Sequence, residues 1–247
     1  MTSTSGKIPP SALYERLFQG FAMEEAERIL AAGTTRVLQR GQVLFREGEP
    51  ATALYLTESG RIKLTQLTTD GQEVIMRYLA PGDAFAAVAL FDRSTYPVTA
   101  RATERTRLRA WSREILPGLV RDHPRFEANL LRIVSSHTRE ALSRLRELAT
   151  ETAAQRLART LLRLGQQIGT PDPAGPPNPD NSPDGAILIE RINQQDLAEV
   201  AGTSVYTVSR TLAEWQERGI VEAGRQRLRI RDPQGLAGIA EGSSAIE

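Results

Sequence analysis

The stretch 190-ERINQQDLAEVAGTSVYTVSRTLAEWQERG-219 decides the fold of the C-terminal part of the chain. Its pattern predicts two short amphipathic helices joined by Ala201-Gly202-Thr203. In the first helix Asn193 is a suitable N-cap, and Asp196 lies in the first turn, where an acid interacts favourably with the helix dipole. Gly202 is suited to the positive φ that ends a helix and turns the chain sharply.

The second predicted helix begins after Ser204, and its inward-facing apolar positions recur at helical spacing: Val208, Leu212 and Trp215. Its opposite face then carries Val205, Tyr206, Ser209 and Arg210. This layout is typical of a helix-turn-helix, whose second helix enters the DNA major groove. An ordinary pair of packed helices is the alternative.

The next segment, 219-GIVEAGRQRLRIRD-232, predicts two short strands with a turn near Ala223-Gly224. A helix-turn-helix followed by such a hairpin forms a winged module, which favours DNA binding. From Ala186 onward, however, the chain holds seven Arg and no Lys against nine Asp and Glu, a balance of −2. Phosphate contacts would therefore depend on local placement of the hairpin arginines, Arg225, Arg227, Arg229 and Arg231.

The composition limits the class of protein. The chain has 247 residues, net charge +1, 40% hydrophobic and 25% charged residues, which is typical of one or two globular domains. It contains neither an apolar window long enough for a membrane span nor the apolar core of a signal peptide. The absence of cysteine excludes disulfides and a cysteine-ligated iron–sulfur cluster. A cytoplasmic protein with no membrane partner is the simplest expectation.

The N-terminal half has the pattern of an all-β domain. Two short helical patterns, at 11–18 and 22–30, precede it. Turn signals then recur at near-regular spacing and separate short strand patterns at 36–39, 42–45, 54–57, 61–67, 73–79 and 107–111. Many short strands at regular spacing predict an antiparallel barrel or jelly roll.

A long helix without a breaker is predicted from about 124 to 149. Its apolar residues are spaced by three and four, which predicts a coiled-coil seam in a parallel homodimer, with packing against the chain's own barrel as the alternative. The predicted seam residues are Phe126, Leu130, Ile133, Val134, His137, Ala141, Leu145 and Leu148.

The domain order follows from these patterns. We expect a β-rich domain at 11–122, a dimerisation helix and hinge at 123–150, and a DNA-binding domain at 151–247; the resemblance described next implies that the first is a sensor domain. A helix at 152–168 and a strand at 186–192 belong to the last domain. Between them, the Pro- and Gly-rich stretch 169–185 is expected to form a solvated loop without helix or strand.

The chain resembles the cyclic AMP receptor protein/fumarate–nitrate reduction regulator (Crp/Fnr) superfamily of bacterial transcription regulators. The resemblance covers about 40–232 and rests on 40-RGQVLFREGEPATALYLTESGRIKL-64, 81-PGDAF-85, the long helix after 123-HP-124, and 201-AGTSVYTVSR-210. It implies an α+β fold with a cyclic-nucleotide-binding-type β jelly roll, a long dimerisation helix and a winged helix-turn-helix. The implied function is that of an effector-controlled homodimer that binds a palindromic DNA site, with RNA polymerase as a further partner.

The resemblance also indicates where an effector would bind, and there the sequence departs from the cyclic AMP receptors. Their Gly-Glu pair falls on Ala86-Ala87, and their phosphate-binding Arg-Ser pair falls near Tyr96-Pro97, unless Arg93-Ser94 is that pair displaced. The polar pair that meets the purine falls on Ala141-Leu142. A cyclic phosphate needs charged donors and a ribose hydroxyl needs an acceptor, so the sequence disfavours a cyclic nucleotide.

The effector therefore stays unknown. The predicted pocket is mostly apolar, with the lining residues Phe85, Val88, Leu90, Tyr96, Val98, His137, Ala141 and Leu142. Some members of the family bind haem in such a pocket, which leaves haem ligation by His137 as an alternative to a structural histidine.

On the DNA side, the resemblance assigns base reading to Val205, Tyr206 and Arg210. An Arg fork suits guanine, whereas Tyr206 stands where many relatives carry a Glu that accepts from cytosine, so we expect an altered base preference there. Further contacts are predicted from Thr203, Ser204, Thr207, Ser209, Arg225, Arg227 and Arg229.

Two other classes of function have different sequence requirements. An enzyme is excluded because the chain has no spaced acid/base set, metalloprotease motif, P-loop or dinucleotide fingerprint. A small-molecule-sensing module that acts on a protein partner remains the alternative. The sequence does not distinguish activator from repressor.

Overall fold

The computed structural model describes residues 16–71, 73–87, 95–173 and 185–242. The chain divides into two compact units, one formed by residues up to Gln66 with Leu79–Ala141, the other by Leu67–Tyr78 with the chain from Leu142 onward. These boundaries differ from the predicted domains, since one of them falls inside the long helix. Within the described ranges, no helix has both the length and the apolar character needed to cross a membrane.

The N-terminal half forms two four-stranded antiparallel sheets, as the regular turn spacing predicts. One sheet has the order β1-β8-β3-β6 and the other β2-β7-β4-β5. The short strands β6 and β7 were not predicted, because neither is bounded by turn signals on both sides. The bounds are β1 Thr34–Leu38, β2 Val43–Phe45, β3 Ala53–Ser59, β4 Ile62–Leu67, β5 Glu73–Leu79, β6 Ala84–Phe85, β7 Thr99–Ala102 and β8 Thr106–Ser112.

Within the described ranges, these strands are accompanied by the helices α1 Met23–Ala32, α2 Leu116–Asp122 and α3 Pro124–Thr150. The start of α3 packs with α1 and the outer face of β3 and β8 around the buried Trp111, whose indole nitrogen donates to the carbonyl of Ile29 at 2.8 Å. This second core lies outside the barrel interior and holds the first half of α3 against its own chain.

The burial of α3 corrects the predicted dimer seam. Phe126, Leu130 and Ile133 are buried in the core around Trp111, and Val134 packs against it, so these residues are not available to a partner chain. The alternative weighed from the sequence, packing against the chain's own barrel, holds for this half. Farther along, the helix leaves the core, and its apolar side chains are exposed at Leu142, Leu145 and Leu148.

The second unit contains a small winged domain. Its helices are α4 Ala153–Ile168, α5 Gln194–Ala201, α6 Val205–Glu217 and α7 Pro233–Ala240. Its sheet has the order β11-β12-β10-β9, with β9 Thr170–Pro171, β10 Ile187–Glu190, β11 Val221–Gly224 and β12 Arg227–Ile230. The expectation that 169–185 contains no strand is wrong at β9, which pairs with β10. Residues 174–184 of that stretch lie outside the described residues.

Candidate nucleic-acid interface

Local capping fixes the first helix of the helix-turn-helix. The Asn193 side chain accepts from the Asp196 amide at 2.8 Å, and the Asp196 carboxylate accepts from the Asn193 amide at 3.1 Å. At the other end Gly202 adopts φ 61° and ψ 48°, the left-handed conformation that glycine accommodates without a Cβ clash. The predicted cap and turn are therefore both confirmed.

The second helix, α6, presents a mixed face to solvent. Ser204 caps it by accepting from the Thr207 amide at 3.1 Å, while Val208, Leu212 and Trp215 are buried as predicted. The Tyr206 side chain is 77% exposed, and Val205, Ser209 and Arg210 are also exposed. No described side chain bonds to the Arg210 guanidinium, so its donors are available to an external acceptor. Thr203 and Thr207 are half-buried at the start of this face.

The predicted hairpin after α6 is present, with its tip one pair of residues later than expected. Strands β11 and β12 pair from Val221↔Ile230 to Gly224↔Arg227, which leaves Arg225 and Gln226 at the tip. Gln226 has φ 56°, a turn conformation. Arg225 and Arg227 are exposed there, and the side chain of Arg227 packs against Gly224. These two arginines are placed to meet a polyanion.

The other hairpin arginines are held within the protein. Arg229 lies 3.2 Å from the carboxylate of Asp172 and 2.8 Å from that of Glu222, and its side chain is only 18% exposed. Arg231 also bonds to Glu222, and its guanidinium, more than any other group, lowers the pKa of that carboxyl. A phosphate would have to displace Asp172 and Glu222 to reach Arg229. Its predicted DNA contact is disfavoured by this pairing.

Asp172 is the residue of this region that the sequence did not indicate. It follows β9, its amide donates to the carbonyl of Ala186 at 2.9 Å, and its carboxylate is 1% exposed. The pairing of β9 with β10 brings it beside β12. Nothing in a Pro- and Gly-rich stretch marks one aspartate as buried, so only the fold identifies it.

The predicted effector residues divide into two groups. Phe85 and Tyr96 are buried inside the barrel, with Val98 packed against the same core. His137 is half-buried on α3, whereas Ala141 and Leu142 are exposed. Val88 and Leu90, like Arg93 and Ser94, lie outside the described residues.

Aromatic rings occupy the part of the barrel interior that holds Phe85 and Tyr96. The ring of Tyr96 stacks on Phe45 with a centroid distance of 3.7 Å, and Phe85 stacks on Tyr55 at 5.3 Å. The Tyr96 hydroxyl accepts from the amides of Thr52 and Ala53. Burial, followed by the hydrogen bond to Tyr96, raises the pKa of Tyr55 far above its usual range, so the Tyr55 phenol is neutral. The described residues of this core are therefore hydrophobic side chains.

Ala86, which the resemblance aligns with a glycine, has a backbone conformation typical of glycine. Ala86 adopts φ 70°, in the left-handed region that glycine normally occupies. The next residue, Ala87, is buried in the core around Trp111. The backbone of Ala86 is thus of the kind that a glycine adopts, and the side chain that follows it is a buried methyl group.

Comparison with known proteins supports both halves of the chain. A family model for the cyclic nucleotide-binding domain matches residues 35–123, and a model for the Crp-like helix-turn-helix domain matches residues 155–239. Among solved structures, the catabolite activator protein of Thermus thermophilus has a TM-score of 0.52 at 34% identity and covers 93% of this chain and 100% of that one. FixK2 of Bradyrhizobium japonicum has a TM-score of 0.69 at 22% identity, with coverage of 83% and 96%, which shows the shared fold.

Curated relatives are similar over nearly their whole length. The cyclic AMP receptor protein of Thermus thermophilus is 34% identical over 92% of this chain and 97% of its own. A CRP-like cAMP-activated global transcriptional regulator of Mycobacterium tuberculosis is 31% identical, with coverage of 90% and 94%. The second of these relatives is named a transcriptional regulator, and the Crp-like helix-turn-helix model matches the part of this chain that contains α5 and α6. The chain therefore belongs to the Crp/Fnr superfamily of effector-controlled, DNA-binding transcription regulators and is not an enzyme.

Proposed function

We propose that the protein acts as a homodimer and reads a palindromic DNA site with α6. The observation that carries this proposal is the exposed face of α6, where Arg210 has no bonded partner among the described residues. A guanidinium fork matches the O6 and N7 acceptors of guanine, and Val205 offers a thymine methyl an apolar contact. Half-sites in a dimer lie about one DNA turn, ~34 Å, apart. Arg225 and Arg227 add phosphate contacts from the hairpin tip.

Dimer formation is supported by the second half of α3. Leu142, Leu145 and Leu148 are between 55% and 63% exposed. A partner helix would remove this apolar surface from water, which is favourable. With Ala141, they continue the predicted seam beyond the point where the chain's own core ends. The proposed seam is therefore shorter than the sequence suggested and lies toward the DNA-binding domain.

We propose an effector other than a cyclic nucleotide, bound to the sensor domain. Ala87 offers no carboxylate to a ribose hydroxyl, and the described residues of the core around Phe85 and Tyr96 are hydrophobic. The relatives named for cyclic AMP provide the opposing argument and make a direct test necessary. RNA polymerase is the proposed protein partner, since another relative is named a transcriptional activator.

Selection from random-sequence DNA tests the proposal. Purified full-length protein, incubated with a random duplex library, is expected to enrich an inverted repeat with half-sites about one turn apart. Enrichment of a single, unrepeated motif would contradict reading by a dimer. If no DNA sequence is enriched, either without an effector or in the presence of a library of candidate effectors, the alternative of a module that acts on a protein partner is favoured.

A further inference from the structure

The junction between the long helix and the DNA-binding domain is fixed by buried ion pairs. Helix α3 ends at Thr150 and α4 begins at Ala153, with Thr152 as its N-cap. The buried carboxylate of Glu147 accepts from Arg163 at 2.8 Å on both oxygens, and that of Glu151 accepts from Arg159 at 2.8 Å. The last turns of α3 are therefore held on α4, one turn after another.

Arg156, on the same helix α4, makes a different set of bonds. Its Nη1 donates to the carbonyl of Glu151 at 2.7 Å. Its Nε and Nη2 donate to the carbonyls of Ala201 and Gly202 at 3.0 and 3.1 Å. One guanidinium thus joins the connection between α3 and α4 to the turn of the helix-turn-helix.

The chemistry of these bonds depends on arginine. The carbonyls of Ala201 and Gly202 end α5, where carbonyls lack helical partners and a cation interacts favourably with the dipole. Three acceptors arranged around one plane fit the fixed fork of a guanidinium, whereas a lysine ammonium is a point charge that cannot span them. Three of the five N–H donors of Arg156 thus go to backbone carbonyls, which holds the guanidinium against the protein.

A second contact follows the same route. Gly202 lies close to Leu148 of α3: a Cβ added to Gly202 would be 2.9 Å from the Cδ2 of Leu148. The turn that sets the start of α6 is therefore in contact with the end of the long helix through packing as well as through Arg156.

We infer that Arg156 is a positioning residue for DNA recognition, which fixes the Ala201–Gly202 turn to the end of the long helix. The inference rests on the proposed reading of DNA by α6.

The test compares Arg156→Lys with Arg218→Lys in the full-length protein. Arg218 is an exposed arginine in the same unit, 3.9 Å from Glu214 and bonded to no carbonyl of the turn, which makes it a matched control. Arg156→Lys is expected to weaken binding to the selected site about tenfold or more, since charge-assisted bonds are lost. The salt dependence of binding should be unchanged, and hydrogen exchange should rise in 198–204 but not in 208–215.

Two results would overturn the inference about Arg156. Binding of Arg156→Lys within about twofold of wild type, or a salt slope lower by about one, would overturn the inference, the latter because it indicates a direct phosphate contact. If Arg156→Lys does not fold, Arg156→Gln takes its place, and loss of helical circular dichroism in both would assign Arg156 to folding instead. Failure of wild type to select any site would count against the proposed function and not against Arg156 alone.

Discussion

At the scale of single residues, the surroundings of a guanidinium decide what it can do. Arg210 and Arg229 are the same side chain in the same domain, and both were predicted to contact DNA. Arg210 is exposed on α6 with no bonded partner among the described residues, whereas Arg229 lies between Asp172 and Glu222. The Arg210 guanidinium can exchange water for a base edge at little cost. The Arg229 guanidinium would first have to give up its ion pairs with Asp172 and Glu222.

Arg210→Ala should weaken binding to the selected site by about 1–3 kcal/mol and remove the preference at one base pair of each half-site. The physical reason is the loss of two donors to one guanine. Competition binding against a panel of single-base variants measures both effects, with Arg218→Ala as the control. An unchanged base preference would mean that α6 does not read through Arg210.

Ala86 provides a test at the same scale that does not depend on DNA. Its φ of 70° is strained for any residue with a Cβ. Ala86→Gly should raise the free energy of unfolding by about 0.5–1 kcal/mol, because relief of left-handed strain exceeds the entropy that glycine adds to the unfolded chain. Ala100→Gly, at a buried strand position, should lower it by about 1 kcal/mol. Urea unfolding compares the two, and destabilisation by Ala86→Gly would refute the strain argument.

At the scale of elements, the hairpin β11–β12 separates into an external tip and an internal base. The tip carries Arg225 and Arg227, and the base is tied through Arg229 to Asp172 beyond β9. The tip arginines face solvent and the base arginine is paired within the protein. Substitutions at the tip should therefore affect DNA binding, and substitution at the base should affect stability.

Arg227→Ala should weaken binding to every DNA sequence alike and lower the salt slope by about one, since one phosphate contact is lost. Arg229→Ala should leave the slope unchanged and destabilise the fold by about 3 kcal/mol, because it removes the cation that lies 3.2 Å from the buried Asp172 carboxylate. Salt titrations of DNA binding and thermal unfolding separate the two effects. A lower salt slope for Arg229→Ala would restore it as a DNA contact.

The first half of the long helix α3 is packed in a core, and the apolar side chains of its second half are exposed. Phe126→Ala should lower the free energy of unfolding by about 3–5 kcal/mol, since the ring is fully buried in the core around Trp111. Leu145→Glu should change the stability of the single chain by less than about 0.5 kcal/mol, since its side chain is exposed. It should nevertheless dissociate the dimer in sedimentation experiments. A dimer that survives Leu145→Glu unchanged would mean that the seam lies elsewhere.

At the scale of the whole molecule, a sensor domain and a DNA-binding domain share one chain. The ligand of the sensor domain is the property that the family does not fix. The match to a cyclic nucleotide-binding domain describes the fold of the sensor. Its chemistry is set by residues such as Ala87, Tyr55 and Tyr96, which provide neither a carboxylate nor a cation.

Calorimetric titration with cyclic AMP and cyclic GMP should therefore give no binding heat at micromolar concentrations. The Thermus thermophilus relative named as a cyclic AMP receptor is the appropriate positive control. Micromolar binding by the present chain would overturn the proposal of a different effector and would direct attention to Arg93 and Ser94, which lie outside the described residues.

The sequence by itself determined the local structure of the reading unit and the order of the elements. The capping of Asn193, the positive φ of Gly202 and the inward face of α6 depend on neighbours within a few residues, so spacing and side-chain type were enough. Only the tertiary structure decided which half of α3 is buried, that Arg229 is paired with Asp172, and that Arg156 reaches the Ala201–Gly202 turn. These contacts join residues far apart in the chain, and an apolar stripe or an arginine has the same pattern in the sequence whether its partner is its own barrel, a second copy or DNA.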